Sequence, residues 1–546
     1  MHRPLRRVAL SFLLGAAACS GESAEVLDSG EGVTGITPAV GKGDSSAEAI
    51  FLDFEFDASL TASSCWNPEG QIEDQMLFTI GHFNGEGGVG RIDRLAVSNV
   101  TTSTEASGCK INYHGRLPVA WPRDRQTPST YTLKLPADMR YEAQERFAKT
   151  YQQCLDPHSH DVTAGNFWYY YRPKQSGCKL SDADIVKAEA KVFPSSIQTT
   201  GKYPEYHEVW EDNRLEVVAI FGKYEDNATT SADAGISAYN RFSQQAKQRA
   251  SKFDAAFALE PSDLPLNPGV QAPKFSVTAN LPGGRTLQIK AFLVDNVQQA
   301  PETFWDEYET LTPTADFIVY NGHAGLGANV RKLAQKGKWV QGQYAIVFMN
   351  GCDTYAYISD ALAESHAAVN PNDPEGTLHL DTVANAMPSF FSSMSAATMA
   401  MVDGLLDWER PKTYEQIFNN IDSAEVVLVT GEHDNVYVPG YNPNQPPVVV
   451  EPWGGLDEKG TVTQEQEIRF ETSVLEAGTY TFVLGGTGDA DLYVRIGDAP
   501  TTNDYDCRPY ADGSDETCEV RVSTPVKVHV MVRGYAKTSD FSLVGE

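Results

Sequence analysis

At 546 residues, 41% hydrophobic and 21% charged, the chain is too long for one core and too apolar to be disordered or fibrous, so several domains are expected. Lys and Arg total 43 against 73 Asp and Glu, a formal net charge of −30. Such a balance repels phosphate backbones and anionic lipid surfaces, which speaks against nucleic-acid partners.

Met1 to Arg7 carries three arginines and no acid, Val8 to Ala18 is small or apolar apart from Ser11, and Ala16-Ala17-Ala18 precedes Cys19. A basic start, an apolar run too short to span a bilayer and a small-residue cleavage site make residues 1–18 an export signal. With Cys directly after that site, the segment resembles a bacterial lipoprotein signal. The resemblance implies that Cys19 is lipidated and that the chain sits in the bacterial envelope, probing the membrane only through that lipid; plain secretion after cleavage at Ala18 is the alternative. Residues 19–47, rich in Gly, Ser, Thr and acids, read as a flexible tether.

Residues 48–200 read as a disulfide-bearing β-rich domain, because Ile50–Phe56, Asp74–Ile80 and Thr130–Leu135 alternate apolar and polar side chains, and Asn166–Tyr171 suggests a further strand; Glu142–Gln153 has helical spacing. Residues 205–438 change rhythm. Near-continuous apolar strands at Leu215–Phe221, Asp316–Tyr320, Tyr344–Met349 and Glu425–Val429 are interleaved with helical stretches at Ser237–Phe253, Glu302–Thr310, Ala328–Lys336 and Leu380–Trp408, and Phe275–Leu281 with Thr286–Val294 reads as paired strands. That alternation predicts a parallel sheet covered on both faces. Residues 439–456 form a Pro-rich linker, and the short alternating strands of residues 457–546 predict an antiparallel β-sandwich. No internal repeat is evident.

Export places the eight cysteines where they pair. Cys507 and Cys518 pair most simply with each other. Cys65, Cys109, Cys154 and Cys178 allow three connectivities, of which the local one joins Cys65 to Cys109 and Cys154 to Cys178. With Cys19 reserved for lipid, Cys352 is left over, either as a buried inert thiol or as a reactive one.

Two stretches of the middle domain rhyme: Phe317-Ile318-Val319-Tyr320-Asn321-Gly322-His323-Ala324-Gly325 and Ile346-Val347-Phe348-Met349-Asn350-Gly351-Cys352-Asp353. Each is an apolar strand running into Asn-Gly and then a reactive side chain, and their spacing is that of one strand–helix–strand unit of roughly 30 residues. Such a crossover makes the strands parallel, so His323 and Cys352 are expected at one sheet edge, where open α/β sheets bind ligands. A nearby imidazole can lower a thiol's pKa or exchange protons with it. These residues resemble the caspase-like cysteine peptidases, a group that includes gingipains, clostripain and legumain. The resemblance implies Cys352 as nucleophile, His323 as acid/base, and an oxyanion donor among the amides of Ala324, Gly325 and Cys352. It departs from the pattern in placing Ala324 between His323 and Gly325.

Gly488-Asp489-Ala490-Asp491-Leu492-Tyr493-Val494-Arg495, with Asp506-Cys507-Arg508-Pro509-Tyr510, Glu516-Thr517-Cys518 and Val532-Arg533-Gly534-Tyr535, resembles the bacterial pre-peptidase C-terminal domain over about Thr461 to Glu546. That family implies a non-catalytic sandwich appended to secreted peptidases, assisting export or binding matrix and polysaccharide.

Other signals are weaker. Asp156, His158, His160 and Asp161 share a polar loop that reads as solvated rather than metal-binding. His207-Glu208 is followed by Val-Trp-Glu, so His-Glu-x-x-His is lacking, as is Gly-x-Ser-x-Gly. No metal or other cofactor is expected; calcium at Asp489 and Asp491 is the alternative to simple turn stabilisation. Glu432, His433 and Asp434 follow the final strand and are expected at the His323 edge, either lining the substrate cleft or forming a plain polar loop. The chain therefore reads as a multidomain surface lipoprotein, with a β-rich N-terminal domain, an α/β caspase-like domain and a C-terminal antiparallel β-sandwich. Its expected activity is cysteine-dependent hydrolysis of a polypeptide substrate; the rival is a non-catalytic adhesion or binding protein with a degenerate peptidase-like domain.

Overall fold

A computed structural model describes residues 43–106, 108–442, 453–475, 478–502, 504–522 and 526–546. The export signal, the lipidation at Cys19, most of the tether and the centre of the Pro-rich linker lie outside the described residues. Chain contacts divide the protein into a unit ending at Pro439 and a second beginning at Gly440.

The first unit holds two sheets. In the six-stranded antiparallel sheet, Gly108–Pro122 pairs with Ala49–Ala62, Val89–Gly90 and Ala96–Glu105, while Ile185–Pro194 joins Ala49–Ala62 to Thr130–Pro136. Gly108–Pro122 shows the alternation of a half-buried strand, with Ile111, Tyr113, Leu117 and Val119 inside. Two bridges, Cys65–Cys109 and Cys154–Cys178, staple this half.

Two segments here differ from the sequence expectation. Asp74–Ile80 belongs to the helix Pro68–Asn84, not to a strand. Pro68 opens the helix, the Asn67 side chain accepts from Gly70 N, and Ile72, Met76, Thr79, Ile80 and Phe83 lie on the buried face at helical spacing. Asn166–Tyr171 contains the helical turn Phe167–Tyr170, whose four aromatics are all buried. A strand would have turned alternate rings to the opposite face.

The nine-stranded sheet is mixed. Its five parallel strands run, across the sheet, Leu380–Asn385, Ala345–Asn350, Phe317–Asn321, Arg214–Gly222 and Thr286–Val294. Lys274–Asn280 and Ala258–Glu260 extend one side antiparallel. Val427–Thr430 and then Asp44–Ser46 extend the other, also antiparallel. Leu380–Asn385 is a further correction, because that segment was expected to be helical; the helix begins only at Phe391 and runs to Leu405. Asp381, Thr382 and Asn385 disguise a strand that is buried along its whole length.

Period-two placement assigns each apolar strand residue to a face. Val217, Ala219, Phe221, Phe317 and Val319 face the helices Ala234–Phe253 and Phe391–Leu405. Val218, Ile220, Ile318, Tyr320 and Met349 face Trp305, Val330 and Leu362, in an apolar cluster continuous with the core of the six-stranded sheet. The two halves therefore share a core.

In the second unit, Leu456–Thr463, Thr538–Gly545, Gly478–Thr487 and Glu516–Val522 form one antiparallel sheet, and Glu467–Glu471, Val528–Gly534 and Ala490–Ile496 another. Both contribute to one core containing Phe482, Leu492, Val530 and Leu543. Cys507 is bonded to Cys518.

Candidate functional site

Along the parallel strands, the first in chain order, Arg214–Gly222, lies between the second, Thr286–Val294, and the third, Phe317–Asn321. The chain's winding reverses there, and ligands of such sheets bind at the carboxyl ends beside that reversal. The segments emerging at this edge are Lys223–Tyr224, Gly322–Gly325 and Gly351–Asp353.

Asn321 and Asn350 are register partners, both fully buried, and Asn350 Nδ2 donates to Asn321 Oδ1 at 2.8 Å. Ser389 donates to Asn350 Oδ1 at 2.8 Å and Thr398 to Asn321 Oδ1 at 3.1 Å. This side-chain network ties the two strand ends together and puts His323 and Cys352 at matching positions, as the repeated Asn-Gly suggests.

His323 is 8% exposed, its ring packed between Tyr224 and Phe391 at centroid distances of 5.2 and 5.1 Å. Its Nε2 lies 2.9 Å from the Tyr224 carbonyl. A carbonyl only accepts, so Nε2 carries a proton and donates it to Tyr224 O. The His323 carbonyl accepts from Tyr320 Oη at 3.0 Å and Asn329 Nδ2 at 2.8 Å, which pins the following turn; Gly325 has φ +59°. Ala324 is buried, and its carbonyl accepts from Gly327 N and Asn329 N.

Gly351 is required by close approach. A Cβ there would stand 2.7 Å from the Gly322 carbonyl oxygen and 3.3 Å from Ala324 N. Gly351→Ala is therefore expected to lose about 1–3 kcal/mol of stability, measured by urea unfolding of the full chain.

Cys352 is buried with Phe391 and Met394, and its Sγ lies 3.8 Å from the Ser389 carbonyl. The expected leftover thiol is absent: Cys352 is disulfide-bonded, and there is no free cysteine among the described residues. A sulfur held in a disulfide has no thiolate to attack a carbonyl.

Two acids at this edge escaped the sequence reading. Asp353 is fully buried, and burial pushes its carboxyl up to about 6 against the hydrogen bonds it accepts from Tyr169 and Asn84. Glu425, also buried and pushed up to about 7 by desolvation, accepts from Ser393 and from Phe390 N just ahead of the Phe391–Leu405 helix. Their only sequence signal was an acid next to an apolar strand.

Glu432, His433 and Asp434 are not at this edge. Val427–Thr430 runs antiparallel to its neighbour, so its carboxyl end lies at the opposite edge. There Asp381 Oδ2 accepts from Tyr344 Oη and Tyr414 Oη, both at 2.6 Å, and from Asn435 Nδ2 at 2.8 Å. Glu432 is buried nearby and pushed well up by desolvation and by Asp381.

Asp156 pairs with Arg172 at 3.1 Å and caps His158 N at 2.8 Å. Asp491 pairs with Arg508 at 3.0 Å. Among the described residues, no group of three or more His, Cys, Asp or Glu is arranged to hold a metal ion. A separate crevice is lined by Arg91, Arg94, Asp360, Thr382 and Thr430, where Asp44, Asp93 and Asp360 neutralise the guanidinium groups.

Residues 468–532 match the bacterial pre-peptidase C-terminal domain. A zinc metalloprotease of Helicobacter pylori is 49% identical over 61 residues, which is 11% of this chain and 24% of that protein. Alkaline serine exoprotease A of Vibrio alginolyticus is 38% identical over 91 residues, 16% of this chain and 17% of that protein. The solution structure of vEP C-ter 100 aligns with 37% identity and a TM-score of 0.14, covering 15% of this chain and 83% of that one. The chain thus spans less than a quarter of the length of these curated relatives. They are named as metallo- and serine proteases, which overturns the expectation of a cysteine-dependent hydrolase, in agreement with the bonded state of Cys352.

Proposed function

We propose that this chain is an exported bacterial protein that acts on polypeptides as a peptidase of a type other than the thiol one. The observation that carries this reading is the C-terminal domain at residues 468–532, shared with proteins named as proteases. It is an association of domains, and the chemistry must come from the first unit. The carboxyl edge supports polypeptide engagement there: the backbone of Gly322, Ala324 and Gly351 converges at it, beside a histidine held between the rings of Tyr224 and Phe391 with its Nε2 against the Tyr224 carbonyl. Placement of His323 and Cys352 after adjacent parallel strands supports a caspase-like arrangement of the first unit, and the shared core of two antiparallel sheets supports a sandwich in the second. The chain is secreted or held in the bacterial envelope.

One observation favours a second reading. His323 and Cys352 are 8% and 2% exposed and Cys352 is bonded, which suits binding without cleavage. Incubating the full chain with labelled casein separates the two. Cleavage that resists iodoacetamide and yields to a chelator or to a serine-directed reagent is the expected result; saturable binding without cleavage favours the second reading, and neither response defeats both.

A further inference from the structure

The turn at the candidate site is held from outside its own sheet. Asp353, directly after Cys352, has φ +52°, a left-handed conformation that costs a non-glycine residue on the order of 1 kcal/mol. Its buried carboxylate accepts from Asn84 Nδ2 at 2.9 Å and from Tyr169 Oη at 2.6 Å. Both donors belong to the other half of the unit: Asn84 ends the helix Pro68–Asn84, and Tyr169 lies in Phe167–Tyr170. The donors are braced in turn. Arg172 Nη1 donates to the carbonyls of Gly81 at 2.8 Å and Tyr169 at 3.0 Å, and Asn84 Nδ2 also donates to Gly88 O at 3.1 Å. Hydrogen bonds to a carboxylate are about twice as strong as neutral ones, which explains how the strained turn persists.

The join is broad. Asp44–Ser46 is the edge strand of the mixed sheet, and the chain then continues directly into Ala49–Ala62 of the other sheet. Arg94 Nη2 reaches Asp360 at 2.6 Å, and the two halves share one apolar cluster. A detachable leader would not be threaded through the sheet that it covers.

We propose that the six-stranded half is a permanent positioning partner of the candidate site, in which Asn84 and Tyr169 hold the Gly351–Asp353 turn through the Asp353 carboxylate and so keep the edge in the shape on which polypeptide seats. The clamp stands on geometry alone; the seating rests on the polypeptide reading above. The charged and titratable groups that act on Asp353 are Tyr169, Tyr357 and Arg172, with Arg331 facing Tyr357. Burial raises the Asp353 carboxyl to about 6 from its ordinary 3.8. The closed turn therefore holds a proton that an opened, solvated turn releases, so opening becomes easier as pH rises from about 4 to 6 and levels off above that.

Hydrogen exchange of the full chain, followed by mass spectrometry over residues 350–358 with 214–222 as reference, tests the clamp. Corrected for intrinsic rates, opening at 350–358 is expected to rise by one to two orders of magnitude between pH 4 and 7, and Asp353→Asn is expected to abolish that step. Tyr169→Phe, which removes one donor without changing shape, is expected to speed exchange at 350–358 at least tenfold and to leave 214–222 unchanged. Equal exchange in Tyr169→Phe and wild type overturns the clamp, as does an equal gain in both segments. If Tyr169→Phe does not fold, persistence of the pH step in Asp353→Asn overturns it instead. An opened turn with undiminished casein binding overturns the seating; a wild type that neither binds nor cleaves casein, while its turn still responds, overturns the functional reading and leaves the clamp standing.

Discussion

Arg91→Met is expected to lower the stability of the first unit by about 3–5 kcal/mol, read as a fall in the urea midpoint at pH 7. Arg91 is 2% exposed. Its guanidinium lies 3.2 Å from Asp44 and 3.0 Å from Asp93, donates to Thr430 Oγ1 at 2.8 Å, and stacks 5.2 Å from the Tyr355 ring centroid. Asp44 is fully buried and also accepts from Tyr355 Oη at 2.5 Å. Methionine fills much of the volume, so the loss comes from leaving the Asp44 carboxylate in the interior without its counter-charge. Desolvation makes an unpaired buried ion far worse than the pair is good. Asp44→Asn, which removes the stranded charge, is expected to recover part of the loss in the double variant. A midpoint in Arg91→Met equal to wild type, or no recovery in the double variant, contradicts this account.

Asp381→Asn is expected to change the pH dependence of stability rather than simply to weaken the fold. The Asp381 carboxyl is raised from 3.8 to about 7, first by burial, with hydrogen bonds from Asn435, Tyr344 and Tyr414 opposing and Asp434 adding to the rise. Because the folded value exceeds the unfolded one, the folded state retains a proton between about pH 4 and 7. The contribution is therefore full below pH 4 and is lost as pH rises through 7. Between pH 5 and 8 this amounts to about 3 kcal/mol for the single group. Asparagine keeps an acceptor for the two tyrosines and has no charge to bury, so the variant should gain on wild type by about that amount over the interval. His82 and His366, both pushed down to about 3 chiefly by burial, act in the opposite direction. The difference between variant and wild type cancels their effect, since they are common to both. Parallel urea-stability curves for the two proteins at pH 5 and 8 would rule out the assignment.

Much of the mixed sheet was legible because its strands are short apolar runs. Leu215–Phe221 and Tyr344–Met349 have few ways to bury every side chain other than between two helical layers. The Asn-Gly repeat after Phe317–Tyr320 and Ile346–Met349 was likewise a sound guide to position: register makes Asn321 and Asn350 partners. What misled was local pattern without its neighbours. Asp74–Ile80 alternates as well as any strand, but Asn67 and Pro68 set a helix start just upstream. Leu380–Asn385 looked polar because Asp381 turns to two tyrosine hydroxyls that are 33 and 37 residues distant in sequence.

The chemistry inferred from the cysteine count shows the same limit. Counting left Cys352 over as a thiol, whereas Cys352 is disulfide-bonded. The edge assigned to Glu432, His433 and Asp434 failed for a related reason: a strand's direction follows from its partner in the ladder, and Val427–Thr430 is antiparallel to Leu380–Asn385.

The sequence by itself determined the acidic composition, the alternation that builds the parallel strands of the mixed sheet, and a C-terminal domain shared with proteases. These are local or compositional properties, read from neighbouring residues or simple counts. Only the tertiary structure decided that the first two predicted domains share a core, that His323 and Cys352 are closed into the edge, and that Asp353 is held by Asn84 and Tyr169 from the other half. Hydrogen bonds between residues 184 and 269 positions apart leave no periodicity in the chain. They exist because burial makes an unpaired polar group expensive, and which groups meet to relieve that cost is settled only when the sheets pack.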